Sequence, residues 1–163
     1  MASSEKNLST YSTGNLTGVN TKKFAIIVSE WNETVTESLY SGALETLLRN
    51  GAARENIVRK NVPGSFELSL AAQWMAKMED IDAVICLGCV IQGETKHFDF
   101  VCQAVSQGIK DLNVLNDIPV IFCVLTDQHL QQAIDRSGGR HGNKGAEAAV
   151  AAIKMAQLRK DAR

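Results

Sequence analysis

Ala83-Val84-Ile85-Cys86-Leu87-Gly88-Cys89-Val90-Ile91-Gln92-Gly93-Glu94-Thr95-Lys96-His97 is the stretch whose reading decides the fold. Ala83 to Ile91 carries no charge and reads as a strand buried on both faces, the mark of a parallel sheet covered by helices. Gly93 turns the chain, and Thr95 to Leu112 reads as the helix that follows. Such a junction points the Glu94 and Thr95 N–H groups, a hydroxyl and the His97 imidazole at one spot. An anion could be held there and a proton moved. The plainer alternative makes Thr95 a cap and His97 a surface residue; the coincidence of strand end, glycine and helix start favours the functional reading.

Outward from this junction, strands and helices alternate. Phe24-Ala25-Ile26-Ile27-Val28 is another uninterrupted apolar run. Beyond Trp31, Asn32 is a candidate N-cap, and Thr34 with Glu37 has capping-box spacing. Val35, Leu39, Ala43 and Leu47 mark one face of the first helix, with Gly51 as its C′ residue. Ile57–Val62 reads as a strand stopped by Pro63-Gly64, and Ser65-Phe66-Glu67 opens a helix reaching Met78. Pro119–Leu125 is a strand with proline at its first position, where it is tolerated. A short helix over Gln128–Ser137, a glycine-rich turn and a helix over Asn143–Arg159 close the chain. The predicted fold is α/β, three layers deep, with a four-stranded parallel sheet flanked by helices on both faces.

The chain has 163 residues, 45% apolar and 21% charged, with a net charge of −1. That suits one soluble domain and gives no reason to expect nucleic-acid binding. The apolar runs are too short to span a membrane, and no basic-then-apolar leader opens the sequence, so a cytoplasmic protein is expected. Residues 1–21, rich in Ser, Thr, Asn and Gly, read either as a flexible arm that orders against a neighbouring subunit or as a disordered tail. Residues 22–163 read as a single domain. Cys86 and Cys89 have C-x-x-C spacing, but the pair falls in a strand and no second pair supplies zinc ligands, so buried reduced thiols are expected.

In an open α/β sheet, ligands sit beyond the carboxyl ends of the strands. Those ends are Ser29-Glu30-Trp31-Asn32, Pro63-Gly64-Ser65-Phe66-Glu67, Gln92 to His97 and Thr126-Asp127-Gln128. They are expected to converge on one edge. Trp31 could stack on a flat ligand or simply cover the core. Glu67 could accept bonds from ligand hydroxyls or serve a routine helix start. Arg136, Arg140 and Lys144, interleaved with glycines ahead of a long helix, fit an anionic ligand or a solvated turn equally. The Walker A, dinucleotide-binding and nucleophile-elbow patterns are absent, and His97, His129 and His141 lack metal spacing.

Four motifs, taken in order, resemble the 6,7-dimethyl-8-ribityllumazine synthase family. They are Val28-Ser29-Glu30-Trp31-Asn32, Val62-Pro63-Gly64-Ser65-Phe66-Glu67, Gly88 to Asp99, and Gly142-Asn143-Lys144-Gly145-Ala146-Glu147-Ala148-Ala149. The resemblance covers Phe24 to Leu158. It implies a flavodoxin-like fold and the condensation of 5-amino-6-(D-ribitylamino)uracil with 3,4-dihydroxy-2-butanone 4-phosphate, without cofactor or metal. It places Trp31 on the pyrimidine and Ser65, Phe66 and Glu67 at its ribityl side. Cys89, Val90 and Ile91 would line the heterocycle, Phe122 its far wall, and Lys144 the ribityl chain. Glu94, Thr95 and Arg136 would hold the phosphate, and His97 would move protons.

The resemblance also implies a homopentamer with active sites between subunits, twelve pentamers forming an icosahedral shell in some members, and riboflavin synthase as a partner. The turn from Gly138 to Gly142 lacks an insertion seen in pentamer-only members, which favours the shell. Two departures are modest: Ser69 replaces a frequent proline, and Arg140 a usual lysine. A lumazine- or flavin-holding binder, or a shell protein without chemistry, would have no need for both His97 and Arg136.

Overall fold

The computed structural model describes residues 18–78 and 80–162. Most of the arm expected at the N-terminus lies outside these residues; its described end, Val19–Thr21, forms a short 3-10 turn with Val19 buried in the core. The expected strands form β1 (Phe24–Ser29), β2 (Ile57–Val62), β3 (Ala83–Ile91) and β4 (Val120–Asp127). They pair in parallel in the order β2-β1-β3-β4. The intervening helices are α1 (Glu33–Arg49), α2 (Leu68–Ala76) and α3 (His97–Leu115), followed by α4 (Leu130–Arg136) and α5 (Lys144–Asp161).

Strand periodicity divides the core in two. Phe24, Ile26 and Val28 face the cluster containing Leu39, Ala43, Ala149 and Ile153 of α1 and α5. Ala25 and Ile27 face Leu68, Ala72, Val105 and Ile109 of α2 and α3. Every residue of β1 is buried. Each such large apolar side chain contributes about 1.5–3 kcal/mol, whereas a surface ion pair contributes about 0–1 kcal/mol, so the two-sided core holds the fold. At the β2 edge, Arg59 pairs with Glu37 of α1 and stacks over Tyr40 at 4.3 Å. Lys60 and Asn61 beside it are exposed, and charge of this kind discourages strand addition.

The start and stop signals fared unequally. Gly51 is the expected C′ residue, with φ 93°. Its N–H bonds Leu48 O at 3.0 Å and that of Ala52 bonds Leu47 O at 3.0 Å, the Schellman pattern. Asn32 does not cap α1 through its side chain, and Thr34 and Glu37 fall inside the helix rather than forming a capping box. The second and third helices begin later than expected, at Leu68 and His97, because Ser65–Glu67 and Glu94–Lys96 form turns. The glycine-rich turn contains a small hairpin, β5 (Ser137–Gly139) against β6 (Gly142–Asn143).

Asn143 joins this hairpin to α1 and α5. Its Oδ1 accepts from Gly145 N at 2.8 Å and Ala146 N at 3.3 Å, as an N-cap. Its Nδ2 donates to Ser38 O at 2.8 Å and Ser137 O at 2.9 Å. The helices meet closely here: a Cβ on Gly145 would lie 1.9 Å from Leu39 O, a backbone atom that cannot move aside. Gly145→Ala is therefore expected to lower unfolding stability by about 3 kcal/mol, measured by denaturant titration. An unchanged midpoint would show that α1–α5 contact does not require the glycine.

Candidate functional site

The strand order reverses direction between β1 and β3, the point where α/β sheets open a crevice. A cavity of about 630 Å³ lies there, lined by Trp31, Asn32, Gly64, Ser65, Phe66, Glu67, Cys89, Val90, Ile91, His97 and Val101. β1 and β3 last pair at Val28 and Leu87. Beyond that pair, Asn32 Nδ2 donates to Cys89 O at 2.9 Å and ties the two strand ends together. Asn32 adopts φ 58°, a left-handed conformation that asparagine tolerates better than most residues. This bridge was hidden in the sequence, where the same residue had the spacing of a cap.

Small residues shape the cavity. A Cβ on Gly64 would lie 3.0 Å from Glu67 Oε2 and 3.5 Å from Trp31 Cδ1, so the glycine leaves Trp31 and Glu67 on one floor. A Cβ on Gly88 would meet Ser65 Oγ at 2.6 Å. Ser65 Oγ is buried with no hydrogen-bond partner among the described residues. A buried hydroxyl left unpaired at a cavity wall is a group waiting for a ligand's donor or acceptor. Trp31 is 72% exposed and Phe66 60%, large apolar surfaces that a folded chain does not leave uncovered without cause.

His97 opens α3 and lines the cavity, its N–H bonding Thr95 Oγ1 at 3.4 Å. Glu94 and Thr95 are exposed just before the helix and do not line the cavity wall. Their own N–H groups bond no described residue, which leaves them free to donate to an anion.

The remaining candidates lie elsewhere. Phe122, Arg136 and Lys144 line a second cavity of about 450 Å³ between β4 and α5, with Asp127 and Glu147. The fourth strand end lies beside the third on the same edge of the sheet, with Gln92 N bonding Asp127 O at 2.9 Å, but Thr126 and Asp127 line this second cavity instead of the first. Within one chain, Arg136 and Lys144 are not brought to the cavity of His97. Lys144 Nζ pairs with Glu147 Oε1 at 2.7 Å, and Arg136 Nη1 lies 3.3 Å from Asp127 Oδ1. Burial raises the Asp127 pKa, and Arg136 only partly offsets it. Arg140 stays largely exposed, paired with Asp135 at 2.6 Å, and lines neither cavity. Among the described residues, no cluster of His, Cys, Asp or Glu is placed to hold a metal ion. Nor is any of their helices long and apolar enough to cross a membrane.

Comparison with known proteins places this arrangement. The 6,7-dimethyl-8-ribityllumazine synthase family matches residues 21–160. A protein of that name from Flavobacterium johnsoniae is 60% identical over 162 residues, covering 99% of this chain and 85% of its own length. Its counterpart from Christiangramia forsetii is 59% identical, covering 100% of this chain and 98% of its own. One from Cytophaga hutchinsonii is 59% identical, covering 95% and 97%.

The cysteines take no visible part in nucleophilic chemistry. Cys86 and Cys89, three positions apart on a strand, point into opposite clusters and cannot act as a pair. Burial pushes the Cys89 and Cys123 thiols up to about 12, with the charges of Asp127 and Glu147 respectively adding to the effect, and raises Cys86 as well. Their thiolate fraction at pH 8 is therefore negligible. Iodoacetamide at that pH is expected to spare Cys86, Cys89 and Cys123 in the native protein, read by peptide mass spectrometry. Rapid labelling of any of the three before unfolding would contradict this.

Proposed function

The chain belongs to the 6,7-dimethyl-8-ribityllumazine synthase family, and from that premise we propose that its active site joins the strand-end cavity of one subunit to the β4–α5 cavity of the next. The protein is an enzyme of riboflavin biosynthesis that condenses 5-amino-6-(D-ribitylamino)uracil with 3,4-dihydroxy-2-butanone 4-phosphate. One observation carries the site reading. The aromatic floor and His97 line one cavity, the cations Arg136 and Lys144 line another, and neither alone has both. The exposure of Trp31, Phe66 and Phe122 at the two mouths supports their meeting across a subunit boundary.

On this reading, Trp31 stacks on the pyrimidine, while Ser65, Phe66 and Glu67 receive its ribityl side. Cys89, Val90 and Ile91 form the heterocycle wall. Phe122 closes it from the neighbouring subunit, and Lys144 reaches the ribityl chain. The phosphate lies between the Glu94 and Thr95 N–H groups and the neighbour's Arg136. The amine attacks the ketone to give a carbinolamine, which loses water to form the imine. Phosphate then leaves by elimination as a proton is removed from the adjacent carbon, and ring closure with loss of water completes the lumazine. His97 carries these protons, and Arg136 stabilises the departing dianion. Holding two reactive partners together supplies much of the acceleration.

The assembly that the family resemblance implies is a homopentamer, a ring that such a contact can close, and the short turn at Gly138–Gly142 supports its further assembly into an icosahedral shell. A cytoplasmic location and a riboflavin synthase partner, which would consume the lumazine, belong to the same reading. His97→Ala is expected to lower kcat about a hundredfold with substrate binding largely retained, followed by lumazine absorbance; an unchanged kcat would remove His97 from proton transfer. His97→Ala and Arg136→Ala chains, unfolded and reassembled together, are expected to be more active than either alone, because mixed assemblies contain some intact sites. Activity no greater than the average of the two would place both residues in a site built by one chain.

A further inference from the structure

Asp127 ends β4 with its side chain 8% exposed, and its backbone already does the structural work there. Its carbonyl accepts from Gln92 N at 2.9 Å, and it pairs in register with Ile91; any residue could do both. The carboxylate is a different matter. Oδ1 lies 3.3 Å from Arg136 Nη1, while Oδ2 is buried with no hydrogen-bond partner among the described residues. A buried, half-satisfied carboxylate costs stability, so packing does not explain it.

Its effect on Arg136 does. Nη1 donates to Gln132 O at 3.1 Å, so this hydrogen bond and the ion pair fall on the same guanidinium nitrogen. No described residue accepts from Nε or Nη2, whose N–H groups form the side-on fork that grips two oxygens of a phosphate. Holding Nη1 at two points fixes the plane of the guanidinium and leaves that fork open. We propose that Asp127 is a positioning residue that orients Arg136 to receive the phosphate of the butanone substrate. This rests on the assignment of Arg136 to phosphate made above.

A carboxylate in the same cavity also repels a dianion, so removing its charge and removing its hold on Arg136 act in opposite directions. Two variants separate them. Asp127→Ala is expected to raise KM for the phosphate-bearing substrate about three- to tenfold, the cost of ordering a free side chain, with kcat and the pyrimidine KM little changed. Asp127→Asn, which keeps an acceptor without the charge, is expected to recover most of that loss. In an Arg136→Ala background, Asp127→Ala is expected to raise that KM no further. The proposal is overturned if Asp127→Ala leaves that KM unchanged or lowers it, if Asn and Ala variants are equally impaired, or if the full effect persists without Arg136. Asp127→Val, which suits a strand end, carries the same expectations if the alanine variant does not fold. Arg136→Ala with an unchanged phosphate-substrate KM would remove the phosphate assignment itself. A raised KM there beside a silent Asp127→Ala would overturn the positioning role alone.

Discussion

A single amide side chain ties together the parts that the β4–α5 cavity depends on. Asn143 caps α5 with its oxygen and, with its nitrogen, binds carbonyls of α1 and of the hairpin strand that follows α4. Its polar groups are therefore spent in a place where burial would otherwise make them costly. Arg136 ends α4 and Lys144 begins α5, so the two cations are set by what this amide holds. Gly42 leaves it the necessary room, since a Cβ there would come within 2.4 Å of the Asn143 side chain.

The strand-end cavity follows from a different constraint. Buried parallel strands must end somewhere, and where the chain leaves β1 for β2 and later returns to β3 on the other side, nothing covers the gap between their ends. The space is bridged at its base by the Asn32 side-chain amide, which donates to the Cys89 carbonyl, and trimmed by glycines, rather than filled by bulky side chains. What remains is an apolar floor with a few polar groups, which is the usual composition of a small-molecule site.

Much of this was legible in the sequence, for reasons that differ by residue. β1 and β3 were found to within a residue because uninterrupted apolar runs admit little else, and β2 because Pro63-Gly64 stops it. The helix starts at Leu68 and His97 were placed early because the residues before them are polar turn residues of the site, which resemble caps. The β5–β6 hairpin left no trace, since short strands of Ser, Gly and Asn have no apolar period to read. The motifs named the candidate residues but not their grouping into two cavities. Whether Arg136 faces His97 or a separate cavity depends on which side of the sheet α4 and α5 occupy, and local pattern is silent on that. Asp127 was visible only as one polar residue at a strand end, because its meaning depends on a guanidinium one helix away.

The two cavities of one chain also constrain symmetry. They are different surfaces, one at the ends of β1 and β3 and the other beside β4. If one is completed by the other and the two open on different faces of the chain, the contact between chains is heterologous, a front meeting a back. A two-fold dimer, which sets like against like, cannot satisfy it. Every chain placed on such a contact presents a fresh open half to the next, so the series must either run on as a filament or turn until it closes as a ring. A closed ring is the smallest object in which no half-site is left over.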